Sequence, residues 1–204
     1  MAETEKALPQ AMRPSGFTGR VFGWLMRRLN KPAYDWTIRQ LRPVKPGSVL
    51  ELGFGTGDVL FEAARRLKVK RVVGRDPSAL MVGTAQKRLG RFRRKALLDI
   101  ALGDDRRLAD GPFDAIVALH CFQFWEDPET TLIRLHALLA PAGRFVLVLR
   151  QRYSSRVAAW LPNPLSRGEN ELEAAIAAAE RAGFAVIGSH RLSSTSHGLI
   201  FTCG

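Results

Sequence analysis

The stretch Val49–Leu60, VLELGFGTGDVL, sets three glycines at alternate positions between two apolar runs. Its first part, continuous with Ser48, reads as a short buried strand, and the part from Asp58 onward reads as a helix. Glycines at 53, 55 and 57 let the backbone turn sharply and approach a ligand without Cβ atoms in the way. Several nucleotide-like ligands use such a turn. In the dinucleotide fingerprint G-x-G-x-x-G the third glycine would fall at position 58, which here is Asp58. A carboxylate at the start of the helix should also repel a pyrophosphate seated there, so the loop favours a ligand without phosphates.

Outward from this loop, strand and helix patterns alternate. DVLFEAARRL (58–67) is helical, RVVGR (71–75) is a strand, and SALMVGTAQKRLG (78–90) is a helix with a stop-signal glycine. ALLDIAL (96–102) and FDAIVAL (113–119) are strands. DPETTLIRLHALLAPAG (127–143) is a helix opened by Asp127 and Pro128 and closed by PAG, and RFVLVL (144–149) is the fifth strand. Such alternation predicts a parallel sheet with crossovers on both faces. After Arg150 the rhythm breaks into a loop with one short helix (150–168). A strong helix (169–184) and two closing strands (185–192 and 198–204) follow, the strands pairing antiparallel across a turn. The fold class is therefore α/β: a mostly parallel sheet with helices on both faces and an antiparallel closing pair.

Upstream, residues 1–16 read as a flexible tail and 17–45 as a helical lid, leaving 46–204 as the main domain. Within the lid, Phe17, Val21, Phe22, Leu25 and Leu29 share one helical face and Arg20 and Arg27 the other. KPAYDWTIRQL (31–41) is a second helix, stopped by RPVKPG.

The 204 residues suit one domain with a sizeable core, and 46% hydrophobic with 25% charged residues is ordinary for a globular chain. No apolar run approaches the roughly 20 residues needed to span a bilayer. The acid-bearing start MAETEKALPQAM does not read as a secretory signal. Cys121 and Cys203 have neither metal-site nor disulfide spacing, so no metal is expected and a reduced, cytoplasmic setting is. The net charge of +12 raises nucleic acid, anionic membrane and acidic substrate as partners. Between Glu62 and Lys95 stand twelve Lys or Arg against two acids. Most lie in connections at the amino ends of the strands, opposite the glycine turn. That placement argues against nucleic acid as substrate and leaves a solvated rim or peripheral contact with an anionic membrane, at its inner face.

The second strand runs into Asp76, where an acid can accept hydrogen bonds from both hydroxyls of a ribose. Ser78 is able to cap the following helix by itself. The third strand ends in LGDDRRL, where Asp104 can accept from an adenine amine and Asp105 can offer its backbone; GDD is also ordinary turn chemistry.

Taken together, VLELGFGTG, VVGRDPSALM, GDD, FDAIVALHCFQFWEDP and LLAPAGRFVLVL resemble the class I S-adenosylmethionine-dependent methyltransferases, of the methyltransferase type 11 kind, over about half the chain. The resemblance implies a Rossmann-like, seven-stranded, mostly parallel sheet with helices on both faces and the last strand antiparallel, in agreement with the closing strands. It also implies that Glu51, Gly53, Gly55 and Gly57 surround the methionine part of S-adenosylmethionine, Asp76 holds the ribose, and Pro77, Asp104 and Asp105 frame the adenine. His120, ending the fourth strand, is the titratable side chain placed to act as a base on a protonated acceptor, or else to contact cofactor and close the pocket. Phe17 and Trp24 of the lid, with Arg150, Arg152, Tyr153 and Trp160 after the fifth strand, are the candidate substrate wall; the arginines there would suit an anionic group. Arg75 stands where an apolar residue is common, and strand alternation should point it away from Asp76. The leading expectation is methyl transfer to a small-molecule acceptor. The alternatives are an N-methyltransferase of phospholipids or other amphiphiles at a membrane surface, an NAD-dependent oxidoreductase, and a non-catalytic cofactor-binding accessory protein.

Overall fold

The computed structural model describes residues 27–150, 170–193 and 195–204. Seven strands make one sheet: β1 (Ser48–Leu52), β2 (Arg71–Asp76), β3 (Leu97–Leu102), β4 (Phe113–Leu119), β5 (Leu139–Arg150), β6 (Phe184–Arg191) and β7 (Ser196–Cys203). Their spatial order is β3-β2-β1-β4-β5-β7-β6. The first five pair in parallel, and β7 runs antiparallel to β5 and β6. Strand order reverses at β1, which puts the glycine turn at the switch point beyond its carboxyl end.

Strand alternation divides the core into two layers. Val146 and Val148 of β5 face Trp36, Leu60 and Ala85 on one side of the sheet; Phe145, Leu147 and Leu149 face Leu132, Leu135 and Ala179 on the other. The first side is covered by α1 (Lys31–Leu41), α2 (Asp58–Glu62) and α3 (Ala79–Leu89), the second by α4 (Pro128–Leu138) and α5 (Asn170–Arg181). Ser78 caps α3 by accepting from Met81 N, and Asp127 caps α4 by accepting from Thr130 N. Helix α1 lies close to β7 because Gly198 has no side chain: a Cβ there would stand 2.4 Å from the Trp36 ring.

Two local features depart from the sequence reading. The helix over 58–67 keeps α geometry only to Glu62 and widens to a π turn over Ala63–Leu67. Strand β5 starts at Leu139, before the PAG segment; its pairing with β4 jumps from Phe113↔Leu139 to Ala115↔Arg144, so the intervening residues bulge. Strand β3 forms one edge of the sheet, with Leu97 and Leu102 exposed and Asp99 turned toward Arg75.

Candidate active site

At the carboxyl end of β1 the glycine turn takes three left-handed residues, with φ of 70°, 53° and 71° at Gly53, Gly55 and Gly57. Their surroundings assign them different work. A Cβ on Gly53 would lie 2.6 Å from Cys121 Cβ, and one on Gly57 would lie 2.9 Å from Ala85 Cβ, so these two let β1 and α2 close against their neighbours. A Cβ on Gly55 would meet no atom within 4 Å. Gly55 is the position where the backbone is open to a ligand.

Three buried carboxylates surround the turn. Asp76 ends β2 and accepts from Gly55 N at 2.7 Å through one oxygen and from Ser78 N at 2.9 Å through the other. Burial raises its pKa, while those two backbone bonds oppose the rise. A carboxylate has about four lone-pair sites, so each oxygen keeps room for a hydroxyl donor. Glu51 is buried in β1, and its Oε2 has no hydrogen-bond partner. Burial, then the neighbouring Asp58 charge, push its pKa well above the usual glutamate range. Asp58 is held differently: Arg88 and Arg27 each reach it at 2.9 Å, Thr56 Oγ1 donates to its other oxygen, and Arg88 also donates to Thr56 O at 2.5 Å. Two guanidinium groups neutralise the Asp58 charge, so the phosphate repulsion expected from it is largely cancelled. That electrostatic objection to a dinucleotide does not hold.

A second group of polar side chains lies beyond β4, β5 and β7. His120 follows β4 with φ of 52°. Arg150 Nη2, at the end of β5, donates to His120 Nδ1 at 3.3 Å and to Asn30 Oδ1 at 3.1 Å. A guanidinium only donates, so Nδ1 is the acceptor and the imidazole proton sits on Nε2, where it is donated to Ser196 Oγ at 3.0 Å. Burial, then the Arg150 charge, hold the His120 pKa well below the ordinary histidine range. Asn30 precedes α1 but makes no capping bond, its oxygen being taken by Arg150. Tyr34, one turn on, is within electrostatic reach of Glu51, Asp58 and Arg150; burial, then Asp58, keep its phenol protonated.

The structure thus brings together Glu51, the glycine turn, Asp76, His120 and Arg150. Pro77 follows Asp76 directly. Asp104 is exposed and accepts from Arg106 N at 3.0 Å. The Asp105 carboxylate accepts from Thr131 at 2.9 Å and pairs with Arg134 at 2.6 Å, which ties it to α4 and leaves only its backbone for a ligand. Arg75 turns away from Asp76, as alternation requires, and makes a two-pronged pair with Asp99 on β3. Phe17, Trp24, Arg152, Tyr153 and Trp160 lie outside the described residues. Sequence reasoning missed Asn30, Tyr34, Arg88 and Ser196. Only the Asn30-Lys-Pro helix start carried a signal, and it pointed to a cap rather than to this network. No group of three or more metal-ligating side chains occurs among the described residues.

Residues 50–145 match the family profile Methyltransf_12, described as a methyltransferase domain. The chain is 24% identical over 132 residues to the uncharacterized methyltransferase YdaC of Bacillus subtilis, covering 65% of this chain and 72% of that protein. It is 34% identical over 110 residues to a demethylmenaquinone methyltransferase of Thermus thermophilus, covering 50% of this chain and 47% of that one. The chain therefore spans about half the length of such relatives. The fold superposes on an S-adenosylmethionine-dependent methyltransferase from Clostridium acetobutylicum with a TM-score of 0.71 at 13% identity, covering 91% of this chain and 98% of that one. The glycine turn, the acid at the end of β2 and the strand order agree with these matches: residues 50–145 carry a methyltransferase domain, and the fold is that of S-adenosylmethionine-dependent methyltransferases.

Proposed function

We propose that the protein transfers a methyl group from S-adenosylmethionine to a small-molecule acceptor, with the donor over Gly55 between Glu51 and Asp76. The observation that carries this reading is the orphaned Glu51 Oε2, buried beside a glycine whose Cβ position is open. An unpaired buried carboxylate oxygen is costly unless a ligand completes it. A ligand with an ammonium group and a sulfonium fits a pocket edged by acids. Asp76 accepts from the ribose hydroxyls, and Pro77, Asp104 and the Asp105 backbone border the adenine. When bound, the cofactor supplies an electrophilic methyl carbon. The protein's share is to orient the acceptor and exclude water around it. His120, Arg150, Asn30 and Tyr34 form the acceptor side, with Phe17, Trp24, Arg152, Tyr153 and Trp160 as its proposed continuation.

Isothermal titration with S-adenosylhomocysteine and with NADH tests the ligand, and labelled methyl transfer into cell-extract fractions tests the reaction. Homocysteine-adduct binding without NADH binding is expected, with label entering a small-molecule fraction. NADH binding alone would return the oxidoreductase reading, and cofactor binding with no transfer to any fraction would return the accessory-protein reading.

A second feature favours peripheral contact with an anionic surface. A groove of about 580 Å³ at the amino ends of β2 and β3 is lined by Lys70, Arg93, Arg94 and Lys95 together with Leu97. None of these four cations pairs with a carboxylate among the described residues. The groove faces away from the glycine turn, so it is suited to docking rather than to presenting substrate. No helix among the described residues is long and apolar enough to cross a membrane.

A further inference from the structure

Arg150 carries a full positive charge into the acceptor side of the site. Its hydrogen-bond acceptors there, Asn30 Oδ1 and His120 Nδ1, are neutral, and no carboxylate pairs with it among the described residues. Two other guanidinium groups drawn into the domain are matched, Arg75 by Asp99 and Arg88 by Asp58, while half-buried Arg144 donates to the Gln40 carbonyl. A desolvated cation left without an anion costs several kcal/mol, by order of magnitude, which folds tolerate where a ligand supplies the missing charge. The same contact disposes of the histidine. Arg150 occupies the Nδ1 lone pair and the Nε2 proton is committed to Ser196, so neither ring nitrogen is free to take a proton from a substrate. The charged group facing this imidazole is Arg150 from β5, which Tyr34 from α1 faces in turn; Asn30 and Ser196 are neutral.

We propose that the methyl acceptor enters this site as a preformed oxyanion (a carboxylate, phenolate or enolate) held by Arg150, and that His120 positions that guanidinium instead of acting as a base. The inference rests on the methyl-transfer reading. The acceptor's lone pair forms the new bond to the methyl carbon as the carbon–sulfur bond breaks, and the bonding pair leaves on sulfur. The acceptor loses its negative charge, the sulfonium becomes a neutral thioether, and no proton has to move. Arg150 serves such chemistry by keeping the acceptor deprotonated at neutral pH.

Three measurements on the full chain test this. First, small-molecule extract is split on an anion exchanger before the labelled-methyl assay. Acceptor activity should appear in the retained fraction, and activity confined to the unretained fraction overturns the proposal. Second, Arg150→Gln should keep S-adenosylhomocysteine affinity within about threefold, which also reports folding, while transfer falls at least tenfold and Arg150→Lys recovers part of it. A parallel loss of homocysteine-adduct affinity would make Arg150 a cofactor contact and overturn the proposal. Third, the ¹⁵N shifts of His120 should show an Nε2-protonated ring that does not titrate between about pH 6 and 8. A ring titrating near the usual histidine pKa, or protonated on Nδ1, restores the base role. If the adduct binds but no fraction accepts label, the methyl-transfer reading itself has failed, and this inference falls with it.

Discussion

In the proposed binding mode one carboxylate has two jobs, since the Asp76 oxygens that accept from Gly55 N and Ser78 N are also the ones that would accept from the ribose. Asp76→Ala should therefore weaken S-adenosylhomocysteine binding by about 1.5–3 kcal/mol, the scale of lost charge-assisted bonds. Calorimetry showing unchanged affinity would remove the ribose assignment. Glu51 gives a prediction in the opposite direction for stability. Its folded pKa is raised well above the ordinary glutamate value of 4.5, so the folded state binds that proton more tightly than the unfolded chain does. Stability from this group is fully present below about pH 4.5 and is lost as pH rises through the folded pKa. Glu51→Gln, isosteric and uncharged, should raise Tm by a few degrees at pH 8, with the gain vanishing toward pH 4.5, and should cost cofactor affinity. A Tm difference independent of pH would mean the carboxylate is not strained by burial.

Among the elements, the short α2 depends on its neighbours for placement. It holds α geometry for only five residues before the π turn, too few to be stable alone. Arg88 of α3 fixes its start by reaching both Asp58 and Thr56 O, and Arg27 adds a more exposed contact to the same carboxylate. Arg88→Met should destabilise the fold by about 1–3 kcal/mol in urea titration, less than full rupture of a buried pair because Arg27 remains. Arg27→Met should cost well under 1 kcal/mol, as its side chain is 54% exposed. Equal effects of the two would show that α3 does not set the glycine turn. Helix α1 illustrates a different dependence: Asn30 at its start and Tyr34 within it meet Arg150, so the proposed acceptor side draws on an element that the glycine turn does not use.

For the whole molecule, charge and core are organised separately. Phe145 sits at the centre of the layer under α4 and α5, 5.4 Å from the Phe201 ring and 5.1 Å from Phe184. Phe145→Ala should cost about 3–5 kcal/mol of stability without changing the site's chemistry. The groove of Lys70, Arg93, Arg94 and Lys95 lies on the far side from the glycine turn. Sedimentation with phosphatidylglycerol-containing vesicles at low salt should retain the protein, pure phosphatidylcholine should not, and replacing the four cations with glutamine should abolish retention. Binding indifferent to lipid charge, or none at all, would leave the basic rim as a solvated surface.

Residue order by itself determined the sheet, because strands of β-branched and aliphatic residues alternating with helices admit few right-handed parallel arrangements. It also determined the place of Gly53, Gly55, Gly57 and Asp76, since turn chemistry is local and a strand end is readable from its apolar run. Tertiary structure alone decided which glycine is open, because that turns on Cys121 and Ala85, distant in sequence. It likewise decided that Asp58 is neutralised by Arg27 and Arg88, and that His120 is spoken for by Arg150 and Ser196. Those partners stand 30 and 76 residues from His120. A side chain's free lone pairs depend on what the fold brings against it, and no local pattern records that.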